Sequence, residues 1–480
     1  LIVAFVGLAT GWPAGASAAK PVLMTTRGHA APAFHISVSS TSRPGWGTPG
    51  VEPSTSATGR SSQRTVRGVL AHLAHAGEIP RSVYAADLGA FNAALREVNA
   101  LPAARADELE AVIENLHQIA VDGALTPSRL PVLFLTLDRN RQYWRTGPLL
   151  SYGQRVEFPG SALEWEYYPG QGIELQVLGS FSEAVALCNA RPGEETACQQ
   201  LLAELIPLAV HRAGGLVWEY YFRFDGGTPP WTSAMSQATA LQALAEAYKE
   251  LRDPEYLTVG QQALAVFSRP PPAGVGEATD LGMRFVQYSF APARGYEVIN
   301  AFLQTLIGLD DFAQTTGNPT AESLFQRGNR EAQAELPQFN TGAWSLYQPG
   351  IEDDLSYHEL VTEFLQQLCS LTKVSVYCQT ATAFQLDLKT PPVLSLVTRR
   401  VKARRATDIY FTVSKISRVG ITILRNGVPV FLTSASFPHG QHDFSIPALK
   451  PTGSYSVKLD ATDLAGNFAD TAATPLTVSR

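Results

Sequence analysis

Three segments of this 480-residue chain set polar side chains among aromatic ones, and they hold the residues best suited to chemistry. In EWEYYPGQGIE (164–174), Gly170 and Gly172 permit a tight turn that would carry Tyr167, Tyr168 and Gln171 into a cleft. RFVQYSFAPARGYEVIN (284–300) offers Tyr288, Arg294, Tyr296, Glu297 and Asn300. NTGAWSLYQPGIEDDLSYHEL (340–360) offers Trp344, Tyr347, Tyr357 and His358. Tyrosine suits sugars, because its ring packs on their apolar faces while its hydroxyl hydrogen-bonds. A tyrosine can also move a proton, but only if cations or donors bring its phenol down from near 10. A single tyrosine in a helix-rich domain is more often wall than catalyst, and His358 alone would be an ordinary histidine. The reading rests on the three segments occurring together.

Other chemistries find little support. No GxGxxG stands in a strand-to-helix context, there is no GKS or GKT, no HExxH and no GxSxG, and the nine histidines are scattered. That leaves little room for a nucleotide enzyme, a zinc hydrolase or a serine hydrolase. No metal site and no cofactor are expected, although scattered carboxylates leave calcium open. The net charge of −6 argues against a nucleic-acid binder, though not against a local basic groove.

These side chains need a frame. Over 66–151 the runs RGVLAHLAHAGE, SVYAADLGAFNAALREVNAL and ADELEAVIENLHQIAVDGAL repeat apolar residues at three- and four-residue spacing, which predicts helices, with Pro80 and Pro102 at helix starts. From Tyr152 the runs are short and alternating, broken by Pro159-Gly160 and Pro169-Gly170, which predicts hairpins. ETACQQLLAELIPLAVHR reads as a helix, GLVWEYYFRFD as strand, and PPWTSAMSQATALQALAEAYKEL as a helix capped by Thr232 or Ser233. Further helices are expected over Pro254–Phe267, Tyr296–Thr315, Pro319–Leu336, Leu355–Leu371 and Val376–Leu386. Helix pairs with strand-like insertions over 152–390 predict an incomplete (α/α) barrel or toroid with a β-rich insertion. After Pro391-Pro392 come short strands and an Asn426-Gly427 turn, so 391–480 is expected to be an immunoglobulin- or fibronectin-like β-sandwich. The fold class is therefore multidomain α+β.

The first 19 residues read as a signal peptide lacking its start: the apolar run LIVAFVG, then Ala16-Ser17-Ala18. Residues 20–65 read as a disordered linker, and no stretch looks long enough for a transmembrane helix. The expected location is secreted or cell-surface. Export permits disulfides, and the close pairs Cys188/Cys198 and Cys369/Cys378 read as local disulfides, with buried free thiols the alternative. Neither pair has the short gap of a zinc knuckle.

Four blocks resemble one family. NTGAWSLYQPG followed by LSYHELVTEFLQQL, PPWTSAMSQATALQALAEAY, the stretch from Tyr288 through GYEVINAFLQTLIGLDDF, and YYPGQGIELQVLGSF are similar, in order, to blocks of the D-glucuronyl C5-epimerases. The resemblance covers about Tyr152 to Pro391 and implies cofactor-independent conversion of glucuronyl to iduronyl units in a heparosan-like polysaccharide. Carried over by position, Tyr347, Tyr357 and Tyr288 would be catalytic. Tyr168, Gln171, Arg294, Glu297, Asn300, Trp344 and His358 would contact substrate. A homodimer is also implied by the resemblance alone. Animal members carry an arginine shortly after the first motif tyrosine, whereas Gln348, Pro349 and Gly350 follow Tyr347 here; Arg294 is the candidate replacement. Two other readings stay open: a uronate lyase acting by β-elimination, and a non-catalytic carbohydrate-binding surface protein.

Overall fold

A computed structural model describes residues 59–189, 195–290 and 297–480, and side chains from Thr65 onward. The signal-peptide reading and Arg294 lie outside the described residues. Four helices come first: α1 (Gly59–His75), α2 (Arg81–Val98), α3 (Ala103–Val121) and α4 (Leu130–Trp144). Residues 59–65, expected to end the linker, instead open α1. Their polar types tolerate a helix, and the apolar periodicity that marks one begins only at Val66, which is fully buried. A three-stranded antiparallel sheet follows, made of β1 (Arg155–Val156), β2 (Trp165–Tyr168) and β3 (Gly172–Leu175). Its β2–β3 turn seats on α3, where Glu108 accepts from the Tyr167 hydroxyl at 2.7 Å and from the Gly170 amide.

The body of the chain is four helix hairpins: α5 (Val177–Cys188) with α6 (Glu195–Leu205), α7 (Ala234–Leu251) with α8 (Pro254–Ala263), α9 (Ile299–Thr316) with α10 (Pro319–Glu335), and α11 (Leu355–Thr372) with α12 (Ser375–Asp387). α5, α7, α9 and α11 pack side by side as an inner row, and each even-numbered helix backs its predecessor. Most residues of α7 and α9 are buried, as expected for helices covered on nearly all sides. Gly308 allows their close approach: a Cβ there would lie 2.2 Å from the Ala238 carbonyl oxygen. Among the described residues α11 does not pack back on α5, so the (α/α) row is open rather than closed into a ring. Disulfides join α5 to α6 through Cys188–Cys198 and α11 to α12 through Cys369–Cys378.

Each outer helix returns to the next inner one through a two-stranded hairpin: β4 (Val210–Arg212) with β5 (Gly215–Val217), β6 (Gly276–Ala278) with β7 (Met283–Phe285), and β8 (Leu346–Gln348) with β9 (Ile351–Glu352). The hairpins therefore gather at the N-terminal ends of the inner helices. Two sequence expectations are corrected here. The helix predicted through Arg212 stops at Leu205, because Pro207 tightens it into a short 3₁₀ turn before β4. The strand predicted over GLVWEYYFRFD is regular only to Val217, beyond which single bridges join Tyr220 to Trp231 and Phe224 to Gly227.

The C-terminal part is a two-sheet β-sandwich with its own core. One sheet has the order β10 (Leu394–Leu396), β12 (Thr407–Val413), β15 (Gly440–Ile446). The other runs β11 (Arg400–Lys402), β18 (Thr474–Ser479), β16 (Gly453–Asp463), β13 (Ser417–Arg425), β14 (Val428–Phe437), with β17 (Phe468–Asp470) on β16. Ile409 and Phe411 from one sheet meet Val419, Ile421 and Leu459 from the other in a single buried cluster.

Candidate active site

The loops at the N-terminal ends of the inner row bring tyrosines together. Tyr288 lies between β7 and α9, and the chain on either side of it is fixed to the lead-in of α7. Ser289 donates its amide to the Thr232 carbonyl at 2.9 Å, and its hydroxyl accepts from the Thr232 amide at 3.0 Å. Ser233, the N-cap of α7, donates to Gln287 at 3.4 Å. The Tyr288 ring stacks on Phe290, with centroids 5.2 Å apart, and meets Trp231 edge-on. Tyr347 leads the third hairpin on β8, and Tyr357 lies in the first turn of α11. Asp354 caps that helix by accepting from the Tyr357 amide at 2.9 Å, which sets where Tyr357 projects.

The three catalytic candidates form one group. The rings of Tyr347 and Tyr357 are 5.1 Å apart and tilted by 59°. Tyr288 and Tyr347 share a side-chain hydrogen bond, and Gln287 supplies a second to Tyr288. All three are half-buried. Burial, first, and then neighbouring phenols and carboxylates hold each hydroxyl well above the ordinary tyrosine range. For Tyr288 the carboxylate is Asp225; for Tyr347 it is Asp353; for Tyr357 they are Asp354 and Asp353.

Tyr168 is buried on β2, 4.4 Å from Phe222 between ring centroids, and its hydroxyl accepts from Gln176 at 2.9 Å. Gln176 in turn accepts from Tyr220, whose phenol burial pushes up to about 12. Gln171 ties elements together: its carbonyl oxygen accepts from Asn115 at 3.1 Å and from the Arg223 amide at 2.9 Å. Glu297 faces Arg284 at 3.1 Å, and that guanidinium also holds Glu335 at 2.9 Å. Asn300, in the first turn of α9, is buried, and among the described residues neither atom of its amide has a partner.

Trp344 and His358 have no exposed surface to offer a ligand. Expected as substrate contacts, they lie under the site, because their polar atoms are taken by the protein. Trp344 Nε1 donates to the Asp353 carbonyl at 2.9 Å. His358 Nε2 meets the Phe384 carbonyl at 3.0 Å, so that nitrogen carries the hydrogen, and Nδ1 accepts from Ser345, whose Oγ is 2.7 Å away. Ser345 Oγ also lies 2.5 Å from Asp353 Oδ2. The Ser345 hydroxyl donates in that short contact, and the Ser345 amide donates to His358 Nδ1 at 3.3 Å. Burial pushes the Asp353 carboxyl up to about 8 and the His358 ring down to about 4.

One tyrosine escaped the sequence reading. Tyr152 packs edge-on against Tyr168 at 5.7 Å and is close enough to act electrostatically on Tyr288 and Tyr357. Its only sequence signal was the change of texture that begins there. Among the described residues no group of three or more His, Cys, Asp or Glu side chains could hold a metal ion.

The family described as D-glucuronyl C5-epimerase C-terminus matches residues 214–386. The D-glucuronyl C5-epimerase of Caenorhabditis elegans is 28% identical over 174 residues, covering 32% of this chain and 28% of that protein. An uncharacterized protein of Methanocaldococcus jannaschii is 30% identical over 138 residues, covering 28% of this chain and 44% of that one. The chain thus spans less than half of either relative. Among solved structures, the cellobiose 2-epimerase of Bacillus thermoamylovorans superposes with a TM-score of 0.32 at 13% identity, over 45% of this chain and 59% of that one.

Proposed function

We propose, from the premise that residues 214–386 belong to the D-glucuronyl C5-epimerase C-terminal family, that this chain inverts C5 of D-glucuronyl units in a heparosan-like polysaccharide without a cofactor. The observation that carries the reading is the convergence of Tyr288, Tyr347 and Tyr357 at the N-terminal ends of the inner helices. Those ends carry partial positive charge and favour a carboxylate. C5 of a uronate bears a weakly acidic hydrogen beside C6. A phenolate takes that proton as the C5–H bond breaks, its electrons pass into the carboxylate as an enediolate, and a phenol returns a proton to the other face. No net redox change occurs.

Tyr347 and Tyr357 together serve proton transfer on one face of the sugar, and Tyr288 holds Tyr347 through their hydrogen bond. The two rings touch, whereas a pyranose between them would need about 7 Å, two contact distances. The pair therefore serves one wall of the cleft, and Tyr152 is the candidate for the opposite face. A phenolate in surroundings this buried and acidic needs a cation when substrate binds; Arg294 is the candidate from sequence. The Cys188–Cys198 and Cys369–Cys378 disulfides support an exported protein, and the strand pattern supports an immunoglobulin- or fibronectin-like sandwich.

The test is incubation of the full chain in D₂O with unsulfated and N-sulfated heparosan, following H5 by NMR. Loss of the H5 signal with appearance of iduronate is the expected result. A product absorbing in the near ultraviolet would point to β-elimination instead. Saturable binding without exchange would leave a carbohydrate-binding cleft.

A further inference from the structure

The hairpin that carries Tyr347 is held from outside the helical body. Lys415, in the turn between β12 and β13, is 1% exposed. Its ammonium ion pairs with Asp463 at 2.8 Å and donates to the Asp387 and Thr390 carbonyls at 2.6 and 2.5 Å. It also stands 5.1 Å from the centre of the Trp344 ring. That ring lies on His358, whose Nδ1 holds Ser345, two residues before Tyr347. The far strand of the hairpin is held as well: Glu352 accepts from the backbone amides of Ile416 at 3.0 Å and His439 at 2.5 Å. The two amides belong to different turns of the sandwich, and both carboxylate oxygens are used.

We propose that the C-terminal sandwich is a positioning part of the tyrosine site, with Lys415 and Glu352 as the residues through which it fixes the Tyr347 hairpin. The groups on the sandwich side are main-chain amides and one fully partnered ammonium, so the joint is rigid and directional. A flexibly tethered binding module would not bury a lysine against the segment that carries the reacting groups. This deepens the epimerase reading and rests on it for its catalytic consequence.

The experiment uses the full chain with Glu352→Ala, Glu352→Gln and Lys415→Met, comparing C5 solvent exchange with deuterium uptake of the backbone in 344–354. In Glu352→Ala, kcat should fall about 10- to 100-fold, the loss typical of a small displacement of reacting groups, while KM moves less than about two-fold. Uptake in the hairpin should rise, and Glu352→Gln, which keeps an acceptor, should recover most of both. Lys415→Met should act in the same direction. It strands Asp463 in the interior, so Glu352→Ala decides if that variant does not fold. Unchanged hairpin uptake, or increased uptake with unchanged kcat, overturns the proposal. A wild-type protein that exchanges no H5 sinks the epimerase reading instead, and hairpin uptake alone then decides whether the sandwich holds the segment.

Discussion

The indole of Trp344 lies flat on the imidazole of His358, with ring centroids 3.7 Å apart and planes within 8° of parallel. The contact joins the β8 lead-in to the first turn of α11, so the segments that carry Tyr347 and Tyr357 share one floor. It also removes His358 from water, which keeps the ring neutral and makes Nδ1 an acceptor for Ser345.

Asp353 should report that arrangement through pH. Its carboxyl sits at about 8 in the folded chain against 3.8 as its ordinary value, so between those values the native state holds a proton that the unfolded chain has lost, and stability falls as pH rises. His358, lowered from 6.5 to about 4, has the opposite sign between those values. From pH 6.5 to 8 the Asp353 contribution is unopposed by His358. Asp353→Asn mimics the protonated acid, so the Tm difference between Asp353→Asn and wild type should grow in the variant's favour across this window. A difference that does not change with pH would contradict the raised Asp353 carboxyl. Glu335, at about 8, and Asp311, at about 7, act alike in both proteins and drop out of the comparison.

Replacing Tyr347 or Tyr357 by Phe keeps the ring contact and deletes the hydroxyl. Each variant should lose about 10²- to 10⁴-fold in H5 exchange, the usual worth of a general acid or base, with Tm nearly unchanged. Tyr152→Phe should lose activity as well if it serves the opposite face. Solvent exchange at C5 by NMR is the measurement.

The pH dependence of kcat/KM, which reports the free enzyme, should rise toward alkaline pH without a plateau below about 10, the ordinary tyrosine value. All three phenols are pushed above that value by burial first, and then by Asp225 for Tyr288 and by neighbouring phenols for Tyr347 and Tyr357, so the phenolate fraction keeps growing across the accessible range. A plateau near neutrality would identify a different base.

Glu219 ties the N-terminal helices to the inner row. Its buried carboxylate takes Arg129 at 2.7 Å and Arg212 at 2.6 Å, together with the Tyr221 hydroxyl at 3.0 Å. Glu219→Ala leaves two largely buried guanidinium groups without their counter-ion and should cost about 3–5 kcal/mol in urea unfolding. Glu219→Gln should cost less, since it keeps an acceptor.

The helices after Ser233 were legible because their apolar residues recur at helical spacing and a cap is explicit at Ser233; Asn318, which accepts from Thr320 and Ala321, is a further cap that the structure adds. α5 was not legible, because Gly179, Ser180 and Ser182 interrupt the apolar pattern. At Gly179 a Cβ would meet the Glu164 carboxylate and the Arg155 guanidinium, the ends of two flexible side chains. The tyrosine grouping was legible through the resemblance of the three blocks that carry Tyr288, Tyr347 and Tyr357. Three further features were not. The burial of Trp344 and His358, and the reach of Lys415, depend on a domain packed against the hairpin from far along the chain. Tyr152 lacks any local motif.

The two disulfides close α5 to α6 and α11 to α12, the first and last hairpins of an open row. In a one-dimensional array each unit draws stability from its neighbours, and the terminal units have one helical neighbour where the middle units have two. Unravelling of such an array starts at its ends. The covalent links therefore act as end stops, and reduction should let the outermost hairpins fray while α7–α8 and α9–α10 stay folded, so the cleft would be lost by erosion of its edges before its centre melts.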